Sequence, residues 1–168
     1  MKILFYIGNY GDWFDQAVSI SSWIAFWTRG PYSHTEIQFS DGICFSSTTR
    51  DDSTGVRFKY IDINWERWDA LEIIMPLDHE AEIKSWCNTQ VGKKYDFWGL
   101  FGFTIPFIVI QDPNSWYCSE IDNRALAIKN YMKIFARIHP NQMAQILHEH
   151  TKTQPEIYKW IEKKNNFT

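Results

Sequence analysis

One cysteine and one histidine stand where a nucleophile and its base would have to stand. Cys118 follows the turn-forming run Asp112-Pro113-Asn114-Ser115. It opens a stretch from Trp116 or Tyr117 to about Ile128 that reads as a helix. The first turn of a helix offers unpaired backbone N–H groups and the positive end of the dipole. Both favour a thiolate, and the same N–H groups can hold an oxyanion. The competing reading is a buried structural thiol, a common fate of free cysteine. His34 begins the alternating run SHTEIQF, which places His34, Glu36 and Gln38 on one face of a strand. A thiol nucleophile needs a base, and the base needs an orienting acceptor. His34 and Glu36 supply that pair of groups on one face. The alternative is an exposed polar face of an edge hairpin.

The remaining candidates read as structural. Cys44 alternates within a strand and Cys87 lies inside a helix beside Trp86, so both are expected in the core. His139 precedes Pro140 at a helix start, and His79 follows the expected cap Asp78 and is expected to be solvated. His148 and His150 are two apart and do not share a helix face. No Cys or His pair has a spacing such as CxxC or HExxH, so neither a metal nor another cofactor is expected.

The elements that must position these groups follow from pattern. Lys2 to Ile7, Ser33 to Phe39, Ile43 to Ser47, Val56 to Ile61 and Ala70 to Met75 read as strands, with a hairpin turn at Ser40-Asp41-Gly42. Helical spacing runs from Trp13 to Trp27 behind Asp12, and Arg29-Gly30-Pro31 stops it. Asp78 is expected to cap a helix reaching about Gln90, ended by Gly92. Pro140 and Pro155 each suit a first helical position. These elements predict an α+β fold: a small, mostly antiparallel sheet packed against helices. Residues 1–162 read as one domain and 163–168 as a polar tail.

Composition limits the partners. The 168 residues carry 17 Lys and Arg against 20 Asp and Glu, a formal charge of −3, which makes the chain a poor candidate for a nucleic-acid binder unless its charges cluster into a local basic patch. Three cysteines cannot all pair within one chain, and no export signal is apparent, so a cytoplasmic, reducing location is expected. The apolar run from Phe97 to Ile110 is interrupted by Gly99, Gly102 and Pro106 and is too short to span a bilayer as a helix. It suits a buried or groove-lining segment and leaves peripheral lipid contact open. Oligomeric state is not legible: the 17% of aromatic residues suit core, groove or interface alike.

Pro31-Tyr32-Ser33-His34-Thr35-Glu36, followed far downstream by Trp116-Tyr117-Cys118-Ser119-Glu120, resembles the circularly permuted branch of the NlpC-type cysteine peptidase superfamily. YiiX-like proteins and small phage and prophage proteins belong to that branch. Trp27-Thr28-Arg29, Asp41-Gly42 with Ser46-Ser47, Gly92-Lys93-Lys94-Tyr95-Asp96 and Asp112-Pro113 resemble it in the same order. The resemblance covers about residues 1 to 125.

It implies a papain-like fold with permuted chain order, Cys118 as nucleophile and His34 as base. The third polar residue of that family usually lies on the strand after the His strand, which here carries Cys44 and Ser46. Glu36 is the preferred orienter, with Ser46 next. Tyr117 and Ser119 are the expected oxyanion donors through their N–H groups, together with that of Cys118. Glu120 is a first-turn charge or a binder of a substrate amine. Tyr32 and Trp116, inside the two motifs, join the expected substrate-binding set. The implied reaction is cleavage of an amide, in a peptide or of peptidoglycan type, through a thioester. An acyltransferase or lipid-amide hydrolase on the same site, or a non-catalytic phage interaction protein that keeps the fold, are the alternatives.

Overall fold

The computed structural model describes residues 1–8, 30–49, 54–97 and 114–162. The helix expected over residues 13–27, the aromatic run beyond Phe97 and the tail 163–168 lie outside them. The fold is α+β. Strands β1 (Lys2–Ile7), β2 (Tyr32–Gln38), β3 (Cys44–Thr48), β4 (Gly55–Lys59), β5 (Trp68–Ile73) and β8 (Tyr158–Glu162) form an antiparallel sheet in the order β4-β3-β2-β1-β5-β8. Helices α1 (Leu77–Gln90), α2 (Cys118–Ala127) and α3 (Pro140–Thr153) accompany it. A short parallel pair, β6 (Lys94–Tyr95) and β7 (Ser115–Trp116), was not expected from sequence.

Alternation gives the sheet two unlike faces. Ile3, Phe5, Ile37, Phe45, Leu71 and Ile73 face one way and meet Ile83 of α1, Ile121 and Leu126 of α2, and Met143 and Leu147 of α3. Each such side chain stabilises the fold by about 1.5–3 kcal/mol on burial. The opposite face holds a smaller cluster of Leu4, Cys44, Trp68 and Ala70, with Tyr6, Ile61 and Ile63 against it. The register sets His34 opposite Tyr6 and Glu36 opposite Leu4, so the polar face of β2 lies on this second side. It is buried, not the exposed face of an edge hairpin.

Two sequence expectations are corrected. Pro155 does not start a helix. Gln154 closes α3, its carbonyl accepts the N–H groups of Ile157 and Tyr158, and the chain turns into β8 against β5. Tyr158 is buried and Trp160 packs beside it on the core, the period of a strand. Asp78 is not the cap of α1. Pro76 occupies that position without a side-chain bond, and Asp78 and Glu80 sit in the first turn, where the dipole favours acids.

The head of β2 is fastened by α3. Asn141 Oδ1 accepts the Tyr32 N–H at 2.8 Å, and Asn141 Nδ2 donates to the Tyr32 carbonyl at 2.8 Å. A primary amide thus completes both backbone bonds of a strand residue two positions before His34.

Candidate active site

The N-terminus of α2 brings a backbone donor to the sulfur. Its cap position is Tyr117, in extended conformation and without a capping side-chain bond. The Tyr117 hydroxyl instead accepts the Ile138 N–H at 3.1 Å, and Ser119 Oγ donates to the Ile138 carbonyl at 2.7 Å. Just upstream, Ser47 Oγ donates to the Trp116 carbonyl at 2.6 Å, fixing the approach to Cys118. The Ser119 N–H, one of the orphan donors of the first turn, helps hold the Cys118 thiol down.

A second backbone donor comes from the sheet. The N–H groups of Thr35, Ile37 and Phe39 share one edge of β2. That of Phe39 goes to the Ile43 carbonyl at 3.0 Å, and Ile37 pairs with Phe45 of β3. The registered β2–β3 pairing stops there, and the Thr35 N–H helps hold the Cys118 thiol down.

His34 completes the site. Its imidazole hydrogen-bonds the Cys118 thiol, and its Nε2 lies 2.9 Å from Glu36 Oε1. With Nε2 engaged by the carboxylate, Nδ1 is the nitrogen left for sulfur. The His34 ring also meets Trp68 edge-on, at 6.3 Å between centroids. Glu36 is gripped from its other side by Arg57 of β4: Nη1 to Oε2 and Nη2 to Oε1, both 2.7 Å. Cys118, His34 and Glu36 are all buried.

The electrostatics favour an ion pair. Burial pushes the Cys118 thiol up, but the His34 charge and hydrogen bond, with the Thr35 and Ser119 N–H groups, outweigh it and hold it below the ordinary thiol value. Burial disfavours the His34 cation, yet Cys118 and Glu36 together raise His34 to about 9. Burial disfavours the Glu36 anion, and the bonds from Arg57 and His34 hold its carboxyl below its usual range. The other cysteines contrast with Cys118. Burial pushes Cys44 up to about 12 and Cys87 higher still. They are the buried core thiols expected.

Other expected residues fall into different roles. Ser46 faces Arg57 across the β3–β4 ladder and donates to the Ser47 carbonyl at 3.5 Å, so the carboxylate on His34 is that of Glu36. Tyr32 belongs to the core. Its hydroxyl donates to Asp69 Oδ2 at 2.5 Å and its ring packs on Phe5. Burial and that bond push the phenol far above its usual range. Trp116 is brought to the end of α1, against Trp86 and under Lys93 Nζ, with Nε1 donating to Gln90 Oε1 at 3.3 Å. The side chains of Tyr117 and Ser119 serve Ile138, while the Ser119 backbone N–H helps hold the Cys118 thiol down. Glu120 is buried in the first turn of α2, and its charge helps raise the Tyr117 phenol above burial alone. His139 caps α3 through Nδ1, which accepts the Gln142 N–H at 3.1 Å. His79 is half-buried rather than solvated, 2.9 Å from the Tyr131 hydroxyl.

Two participants were missed by sequence reading. Arg57 gave no signal, because its role depends on strand register. The Thr35 N–H gave none, because it depends on where β3 leaves β2. Thr35 also donates its hydroxyl to Asp122 Oδ2 at 2.6 Å, one helical turn behind Cys118. Burial drives the Asp122 carboxyl well above its ordinary range, against the pull of that bond.

Among the described residues no group of His, Cys, Asp and Glu suits a metal ion, and no helix is long and apolar enough to cross a membrane. No protein-family model matches the chain, and no curated protein matches it either.

Proposed function

We propose that this chain is a cysteine hydrolase that cleaves an amide bond, in a peptide or of peptidoglycan type, through a thioester on Cys118. The observation that carries the reading is the contrast among three buried cysteines. Only Cys118 has its thiol held down, and it is the one bonded to an imidazole that is itself backed by a carboxylate. A merely structural thiol has no use for that arrangement.

The chemistry follows from the parts. His34 takes the Cys118 proton, and the thiolate attacks the carbonyl carbon. The sulfur then gives up its charge, and the N–H groups that held it become available to the oxyanion. The imidazolium returns its proton to the leaving amine as the C–N bond breaks. Water, deprotonated by His34, attacks the thioester and releases the acid and the free thiol. On this reading the order in the chain, His strand before Cys helix, is that of a permuted papain-like fold of the NlpC type.

Incubating the protein with a panel of peptide amides and acyl amides, with acid quench and mass spectrometry, tests the reading. An acyl adduct on Cys118 and turnover lost in Cys118→Ala are expected. Turnover that survives Cys118→Ala contradicts it.

A further inference from the structure

The geometry points to Arg57 as a positioning residue of this site, whose guanidinium fork fixes the Glu36 carboxylate in plane and charge against His34. The inference rests on reading Cys118 and His34 as nucleophile and base. Three observations carry it.

First, the fork is bidentate, with both N–O distances 2.7 Å, and Oε1 is shared between Arg57 Nη2 and His34 Nε2. A carboxylate held at both oxygens cannot rotate away from the imidazole. Second, Arg57 lies two strands from Glu36, about 9–10 Å across the sheet. The residues of intervening β3 on that face are Cys44, Ser46 and Thr48, none of them large. Ser46, directly opposite Arg57, leaves the guanidinium its path over β3. Third, the charges cancel only with Arg57 present. The thiolate and imidazolium balance each other, and Glu36 is balanced by Arg57. Without the guanidinium, the buried relay carries one uncompensated negative charge, which protonation of Glu36 would relieve. His34 would then lose its anionic acceptor.

The titratable and charged groups that act on Glu36 are His34 on β2, Cys44 on β3, Arg57 on β4 and, from the other face of the sheet, Asp122 on α2. Of these Arg57 alone is a permanent cation.

The test combines a carbon NMR titration of the Glu36 carboxyl in the intact wild-type protein with iodoacetamide alkylation of Cys118 against pH in wild type, Arg57→Lys and Arg57→Gln. Wild type is expected to show Glu36 ionised throughout the ordinary carboxylate range. Arg57→Gln is expected to slow Cys118 alkylation at mildly acidic pH about tenfold, the effect of one pKa unit. It should also add a second ionisation to the acid limb. Arg57→Lys, which keeps the charge and loses the fork, should fall between. If Arg57→Gln does not fold, the wild-type titration decides alone: a Glu36 carboxyl titrating at or above its ordinary value overturns the inference. A reactive wild-type Cys118 with an unchanged profile in both folded variants also overturns it and leaves the hydrolase reading standing. A wild-type Cys118 no faster than Cys44 overturns that reading and this inference together.

Discussion

Replacing Glu36 by Gln keeps the shape of the side chain and removes its charge. Arg57 presents two donors to two carboxylate oxygens, and His34 presents a third to Oε1. The amide has one acceptor oxygen, so its NH2 group must face a buried donor. Breaking a buried ion pair by removing one partner costs about 3–5 kcal/mol, because the surviving charge is left without compensation. Glu36 is 1% exposed and the Arg57 side chain 11%, so solvent cannot make up the loss. For a chain of this length the cost corresponds to a melting temperature about 6–20 °C lower at neutral pH. The pH dependence has a definite sign. The folded-state pKa of Glu36 lies below the ordinary 4.5, so its stabilisation is complete above that value and is lost as pH falls through the folded pKa. Calorimetric melting of wild type and Glu36→Gln at neutral pH and well below 4.5 should show a gap that narrows with acidification. A neutral-pH loss under about 1 kcal/mol, or a gap indifferent to pH, would refute the reasoning.

Further outcomes follow from the same geometry. Because His34 is raised to about 9, hydrolysis should fall above that pH as the imidazolium that protonates the leaving amine is lost, and a rate–pH profile checks this. The paired stability of His34 runs the same way, present below its unfolded value near 6.5 and lost as pH rises through about 9. Asn141→Ala removes both amide bonds to the Tyr32 backbone and should cost about 2–6 kcal/mol, read as a lower denaturant midpoint at unchanged slope. Tyr32→Phe should lower stability by about 1–3 kcal/mol through the lost bond to Asp69. It should leave Cys118 alkylation unchanged, since Tyr32 serves the core.

The legible parts of this molecule were the local ones. Alternation in SHTEIQF placed His34 and Glu36 on one face, and the turn before Cys118 announced a helix start. Both signals depend on a few adjacent residues. Arg57 was silent, because its contact crosses β3 and needs the β2–β3 and β3–β4 registers together. Ser46, a candidate orienter from its strand, instead leaves space. The Thr35 donor was silent because a backbone N–H carries no side-chain signature. β8 was missed because Pro155 suits either a first helical position or a turn, and pairing with β5 decided for the turn.

The central claim is a thiolate on Cys118 held by His34. The direct measurement is the ultraviolet absorbance of thiolate against pH, taken as wild type minus Cys118→Ala, and repeated in the His34→Ala background. The account predicts one thiol ionising below about 8.5, the free-thiol value, and a return toward or above that value without His34. A Cys118 that ionises no lower than a free thiol, or one indifferent to His34→Ala, would contradict it.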